Sequence, residues 1–110
     1  MNPLDYSLCY QTVTVYRRQE TGVLRFVLEN CFLQVQRGIR KDVYGKEQTV
    51  SFLLIVPGGE QQVFPGDRIV EGIGPEVTAW EQTCGFAEIQ YAQPCYWEGE
   101  LCHTEAGRKE

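Results

Sequence analysis

The chain has 110 residues, 43% of them hydrophobic and 23% charged, with a formal net charge of −5. That length suits one domain over residues 1–110, and 29 Leu, Ile, Val and Phe residues are too many for a disordered chain. The longest uninterrupted apolar run, Phe52 to Val56, is far short of a membrane-spanning helix, and residues 1–8 lack the basic start and apolar stretch of a secretory signal.

Most of the sequence reads as short strands. Thr12-Val13-Thr14-Val15-Tyr16 concentrates β-branched and aromatic residues, with Val13 and Val15 on one face. Arg17 to Gly22 is polar and ends in glycine, as a hairpin turn does. Val23 to Glu29 places Leu24, Phe26 and Leu28 on one face. Leu24, Val27, Leu28, Cys31 and Val35 also match a helical stripe, but the bracketing Gly22 and Gly38 and the density of Phe and Val favour a strand. Asn30 marks a bulge or corner where that strand changes direction.

Gly38 to Lys46 reads as a polar, basic loop. Gln48 to Val56 begins by alternating and ends fully apolar, like a strand passing from the rim into a two-sided core. Pro57-Gly58-Gly59 stops it. Gln61 to Phe64 gives a short strand, and Pro65-Gly66-Asp67 is a structural turn into Arg68–Gly72, proline fixing one φ and glycine supplying a positive one. Gly74 to Glu81 is the one candidate helix, with a single turn an equal possibility. Cys84 to Gln93 alternates as a strand. Cys95-Tyr96-Trp97 and Leu101 to Glu105 flank Glu98-Gly99, a two-residue hairpin loop with glycine where a primed turn needs it. Residues 1–10 and 106–110 are expected to fray. Seven to nine strands with at most one short helix predict an all-β fold, a small antiparallel barrel or sandwich.

Charge is unevenly distributed. Residues 1–70 carry 8 basic and 7 acidic side chains, whereas residues 71–110 carry 2 and 8. A sequence pI near 4.9 argues against nucleic-acid binding as the main role. The basic cluster Arg37, Arg40, Lys41 and Lys46, with Tyr44, is either a solvated loop or a contact for a partner or phosphate.

The five cysteines, at 9, 31, 84, 95 and 102, are odd in number, which argues for free thiols in a reducing compartment. Cys31 reads as a small buried hydrophobe. Cys84-x10-Cys95-x6-Cys102-His103 lacks the short knuckle of a zinc site, and adjacent strand residues Cys102 and His103 point to opposite faces. His103, the sole histidine, is better suited to capping a hairpin end than to activating a thiol. No paired carboxylates stand out, and no glycine loop sits between a strand and a helix as phosphate binding requires. No catalytic, cofactor or metal residues are expected, and the chain reads as a non-enzyme. Tyr6, Tyr10, Tyr16, Tyr44, Tyr91, Tyr96, Trp80 and Trp97 are many for one small core. They are either partly buried barrel residues or an interface, where an apolar ring and a polar tip are both useful.

The order of these signals resembles a known family. Thr12–Tyr16, then Leu24–Cys31, a basic glycine-containing loop, an apolar strand ending Val56-Pro57, Phe64-Pro65-Gly66-Asp67-Arg68-Ile69-Val70-Glu71-Gly72, and a closing His103-Thr104-Glu105-Ala106-Gly107 are similar to the short minor capsid, head-completion or head–tail joining proteins of tailed phages and prophages of Gram-positive bacteria. The resemblance implies a small β-barrel with a projecting loop, assembled as a ring with portal, adaptor and tail-completion proteins. It would be found in the bacterial cytoplasm during assembly and then in the virion, meeting nucleic acid only as packaged DNA in the channel. Arg37 to Lys46 would be the long contacting loop. Two other readings remain: a barrel binding single-stranded nucleic acid through that basic loop, and a small-molecule or carbohydrate module using Trp80 and Trp97.

Overall fold

A computed structural model describes residues 6–42, 45–58 and 61–108, and for residues 37–42 and 45–50 it describes the backbone alone. Seven strands follow in order: β1 (Gln11–Gln19), β2 (Gly22–Asp42), β3 (Gly45–Pro57), β4 (Arg68–Glu71), β5 (Ala87–Glu88), β6 (Tyr91–Trp97) and β7 (Glu100–Arg108), with one 3-10 turn at Trp80–Thr83. All neighbours pair antiparallel in the order β5-β4-β1-β2-β3-β7-β6, forming a curled half-barrel. The all-β expectation is met.

Two bends curl the sheet. Along β2 the pairing passes from β1 to β3 at Asn30: Gln11 faces Cys31 but Val13 faces Leu28, so β2 carries one extra residue. Asn30 takes φ 58, a left-handed conformation that asparagine tolerates better than most residues. The edge strands β5 and β6 are consecutive in sequence, separated by Ile89 and Gln90 alone. Ile89 exchanges backbone hydrogen bonds with the Gly66–Asp67 turn, and the Gln90 amide donates to the Gly107 carbonyl at 2.8 Å. The alternating stretch read as one strand from Cys84 is therefore bent, its first part on β4 and its last on β7.

Val13 and Val15 from β1, Phe26, Leu28, Cys31 and Leu33 from β2, and Phe52, Leu54 and Val56 from β3 fill the concave side with Val63, Ile69, Ile89 and Ala106. Fully burying a side chain of this size contributes about 1.5–3 kcal/mol, which makes this cluster the main source of stability. β7 can pack closely here because Gly107 has no side chain: a Cβ at that position would overlap the Phe52 carbonyl oxygen.

Several local expectations change. Of the stretch Gly38 to Lys46, read as a loop, residues 38–42 and 45–46 are strand: pairing runs on to Asp42 opposite Gly45. Tyr44 lies outside the described residues. Gln61 to Phe64 forms no strand, because the Gln62 carbonyl accepts from Arg17 and the Phe64 amide donates to Asp67. The segment from Gly74 stays extended until the 3-10 turn, since tertiary bonds to β1 and β2 occupy the groups a helix would use. The Gly74 amide donates to the Thr14 hydroxyl, its carbonyl accepts from Arg25, and the Pro75 carbonyl accepts from Tyr16. Ala106 and Gly107 are buried within β7 rather than frayed, and residues 109–110 lie outside the described part.

Candidate docking surface

From Gln36 opposite Ser51 to Asp42 opposite Gly45, β2 and β3 pair with each other and with no further strand among the described residues. Seven residues a side at about 3.3 Å make an arm about 23 Å long. The molecule is correspondingly elongated, 52 × 35 × 22 Å, with a radius of gyration of 15.2 Å. A compact chain of this length would have about 13 Å. Arg37, Arg40, Lys41 and Lys46 lie on this arm, at register positions opposite Val50, Glu47, Lys46 and Lys41. Residues 36–51 carry four basic and two acidic residues, a local net of +2 within a chain of −5.

Three polar clusters brace the body behind the arm. In the first, Pro65 and Gly66 occupy the corners of a turn closed by the Asp67 amide on the Phe64 carbonyl at 3.1 Å, with Gly66 at φ 97. Those angles and residues define a type II turn. The Asp67 carboxylate accepts from Arg17 Nε at 3.0 Å and Nη2 at 2.9 Å, and from the Phe64 amide at 3.0 Å. The Arg17 guanidinium also lies over the Phe64 ring at 4.6 Å and the Phe26 ring at 5.4 Å. Asp67 is thus spent on fixing a turn, a partner not foreseen because Arg17 lies 50 residues away.

In the second cluster Arg68 stacks over Trp80 at 4.4 Å, donates to Thr83 Oγ1 at 2.9 Å and pairs with Glu88 at 3.3 Å. Gln82 Oε1 accepts from the Thr78 and Ala79 amides and closes the start of the 3-10 turn. In the third, Thr14 Oγ1 donates to the Gly72 carbonyl and Tyr16 Oη to the Pro75 carbonyl at 2.6 Å, strapping residues 72–75 across β1. Tyr16, grouped with the surplus aromatics, is fully buried against Phe86.

The remaining aromatics divide. Trp80 is half-buried beneath Arg68 and Tyr91 is half-buried on β6, whereas Tyr10, Tyr96 and Trp97 are exposed. Trp80 sits against β4 and Trp97 at the far end of β6, so they lie towards opposite edges of the sheet.

His103 Nδ1 shares a 2.8 Å hydrogen bond with the Tyr6 hydroxyl, the rings meeting edge to face, which ties the segment before β1 to β7. Cys102 and His103 do face opposite ways, Cys102 buried and His103 half-buried. All five cysteines are free, and no three His, Cys, Asp or Glu side chains converge among the described residues. Cys31 is fully buried, and burial, with a smaller contribution from nearby Cys9, pushes its thiol up to about 11. An apolar cleft of about 490 Å³ opens between the two halves of the sheet at the base of the arm, lined by Leu33, Val35, Phe52, Ile69, Phe86 and Arg108 among others.

Comparison with family models, with curated proteins and with solved structures finds no match for this chain.

Proposed function

We propose that the chain is a non-enzymatic assembly protein, a component of the head–tail connector of a tailed phage or prophage, which docks its β2–β3 arm onto neighbouring structural proteins. The observation that carries this reading is the arm itself. A two-stranded hairpin standing alone in water is only marginally stable, and an extension of about 23 Å that pairs with no third strand among the described residues gains most by packing against another chain. The resemblance in motif order supplies the assembly: portal, adaptor and tail-completion proteins as partners, and several copies in a ring. Arg37, Arg40, Lys41, Tyr44 and Lys46 are the contact residues. Consistent with a scaffold, Arg17, Asp67, Arg68, Thr14 and Tyr16 are committed to bonds that hold turns in place.

The test is co-purification with the portal and adaptor proteins encoded beside it. The wild type should be captured, and Arg37→Glu/Arg40→Glu/Lys41→Glu should lose capture without losing thermal stability. Equal capture of both forms would refute arm docking. The local +2 charge of residues 36–51 favours one second reading, single-stranded nucleic-acid binding along the arm. That reading requires affinity for an oligonucleotide that falls steeply between 50 and roughly 200 mM salt. A flat response would exclude it.

A further inference from the structure

The two ends of β7 differ in character. At one end, the β6–β7 hairpin turns through Glu98 (φ 49) and Gly99 (φ 82), both positive as a type I′ turn requires. Tyr96 pairs with Leu101 and Trp97 with Glu100, so the two rings, 64% and 48% exposed, stand on opposite faces of a narrow ribbon. Exposed Glu98 and Glu100 make its tip acidic. At the other end, about 26 Å along the strand, Arg108 lines the 490 Å³ cleft. One wall of the cleft is Leu33, Val35 and Phe52, and the other is Ile69 and Phe86. At about 490 Å³ the cleft lies within the size range that takes up large apolar groups.

We propose that the β6–β7 hairpin of one copy of this chain inserts into the cleft of the next, Tyr96 and Trp97 packing on the two walls. Charge selects this occupant. The tip carries two carboxylates, while the cleft, where Arg108 and Glu71 offset each other, adjoins the arm, whose residues 36–51 have a net charge of +2. Glu71, also in the cleft, offers an acceptor for the indole N–H or the tyrosine hydroxyl, the polar handles such rings need when buried. Sheet extension along β6 is a poorer alternative, because Pro94 sits in that edge strand and has no amide hydrogen to offer. Patch and cleft lie at opposite ends, so the contact is heterologous: it repeats head to tail, closing as a ring or continuing as a filament. The inference rests on the assembly reading and names the contact between copies, leaving the arm to other proteins.

The test uses two surface variants and analytical ultracentrifugation over rising concentration. Tyr96→Ser/Trp97→Ser removes the wedge, and Val35→Glu, at a position 43% exposed, obstructs the cleft. Wild type should form species beyond a dimer, and each variant alone should associate at least roughly thirtyfold more weakly, the effect of losing a central aromatic anchor. Mixed in equal amounts, the variants should form one heterodimer and stop, since only one intact wedge and one intact cleft remain. A monomeric wild type at several hundred micromolar, a variant that still self-associates, or a mixture that stays monomeric overturns the proposal. Wild-type tryptophan emission should also move to shorter wavelength as the larger species form; unchanged emission overturns it even if a variant fails to fold. Portal capture separates the two readings: absent self-association with capture intact removes hairpin insertion alone, and the reverse removes arm docking alone.

Discussion

Replacing Asp67 with alanine tests the account of what holds the half-barrel's loops in place. The carboxylate accepts three hydrogen bonds, two of them from Arg17, and its side chain is 4% exposed against 27% for Arg17. Removing one member of a buried charge pair costs about 3–5 kcal/mol, because the other charge is left without its partner. Water reaches the guanidinium in part, and Arg17 keeps its bond to the Gln62 carbonyl at 2.8 Å, so the lower end applies, about 3 kcal/mol. A domain of this size has roughly 5–15 kcal/mol in all. With a urea m-value of about 1.5 kcal/mol/M, the midpoint should fall by roughly 2 M, read from tryptophan fluorescence. Arg18→Ala, at the exposed neighbouring position, should stay within about 0.5 kcal/mol. Arg17→Met combined with Asp67→Leu should cost less than the sum of its parts, with a coupling above about 1 kcal/mol. A cost for Asp67→Ala below about 1 kcal/mol, or a coupling near zero, would refute the reasoning.

Other perturbations have equally definite outcomes. The Cys31 thiol ionises near 9.0 when unfolded and near 11 when folded, so the folded form holds its proton longer. Its contribution is therefore fully present below pH 9 and is lost as pH rises towards 11, reaching about 2–3 kcal/mol; the difference between wild type and Cys31→Ala in urea titrations at pH 8 and pH 10.5 should show it. Gly107→Ala should lower stability by about 2 kcal/mol, measured by thermal unfolding, because the added methyl overlaps the Phe52 carbonyl. Thr14→Val keeps the shape but leaves the Gly72 carbonyl and the Gly74 amide without their hydroxyl partner, and should cost about 2 kcal/mol in the same assay.

The strands that face the core were legible in the sequence because burial imposes a pattern. Val13 and Val15, then Phe26 and Leu28, alternate since one face of each strand meets the interior. The Glu98-Gly99 and Pro65-Gly66 turns were legible because positive φ demands particular residues. The arm escaped notice for the opposite reason. Gly38 to Lys46 shows no apolar alternation in sequence and reads as loop, and its pairing is set only by the backbone register of β2 on β3. The Gly74–Glu81 segment is extended up to its single 3-10 turn, and Gln61–Phe64 forms no strand, because Thr14, Tyr16, Arg25 and Arg17, all distant in sequence, together with the nearby Asp67, occupy their backbone groups. The wedge residues Tyr96 and Trp97 were visible as surplus aromatics, but the cleft opposite them is assembled from five strands and their connections, and no local pattern encodes it.

The bent β2 also dictates a folding order. The β1–β2 and β2–β3 hairpins close between near neighbours, so they can form early at small entropic cost. The β3–β7 seam joins residues as far apart in sequence as Phe52 and Arg108, and it must wait for that long loop to close. Until then the most apolar strand of the chain, Phe52 to Val56, presents an unpaired edge. That interval is when newly made copies would be most prone to sticking together wrongly. High expression temperature, which lengthens the interval by weakening the late seam, should therefore yield aggregates seeded by the Phe52–Val56 part of β3 rather than by the polar arm.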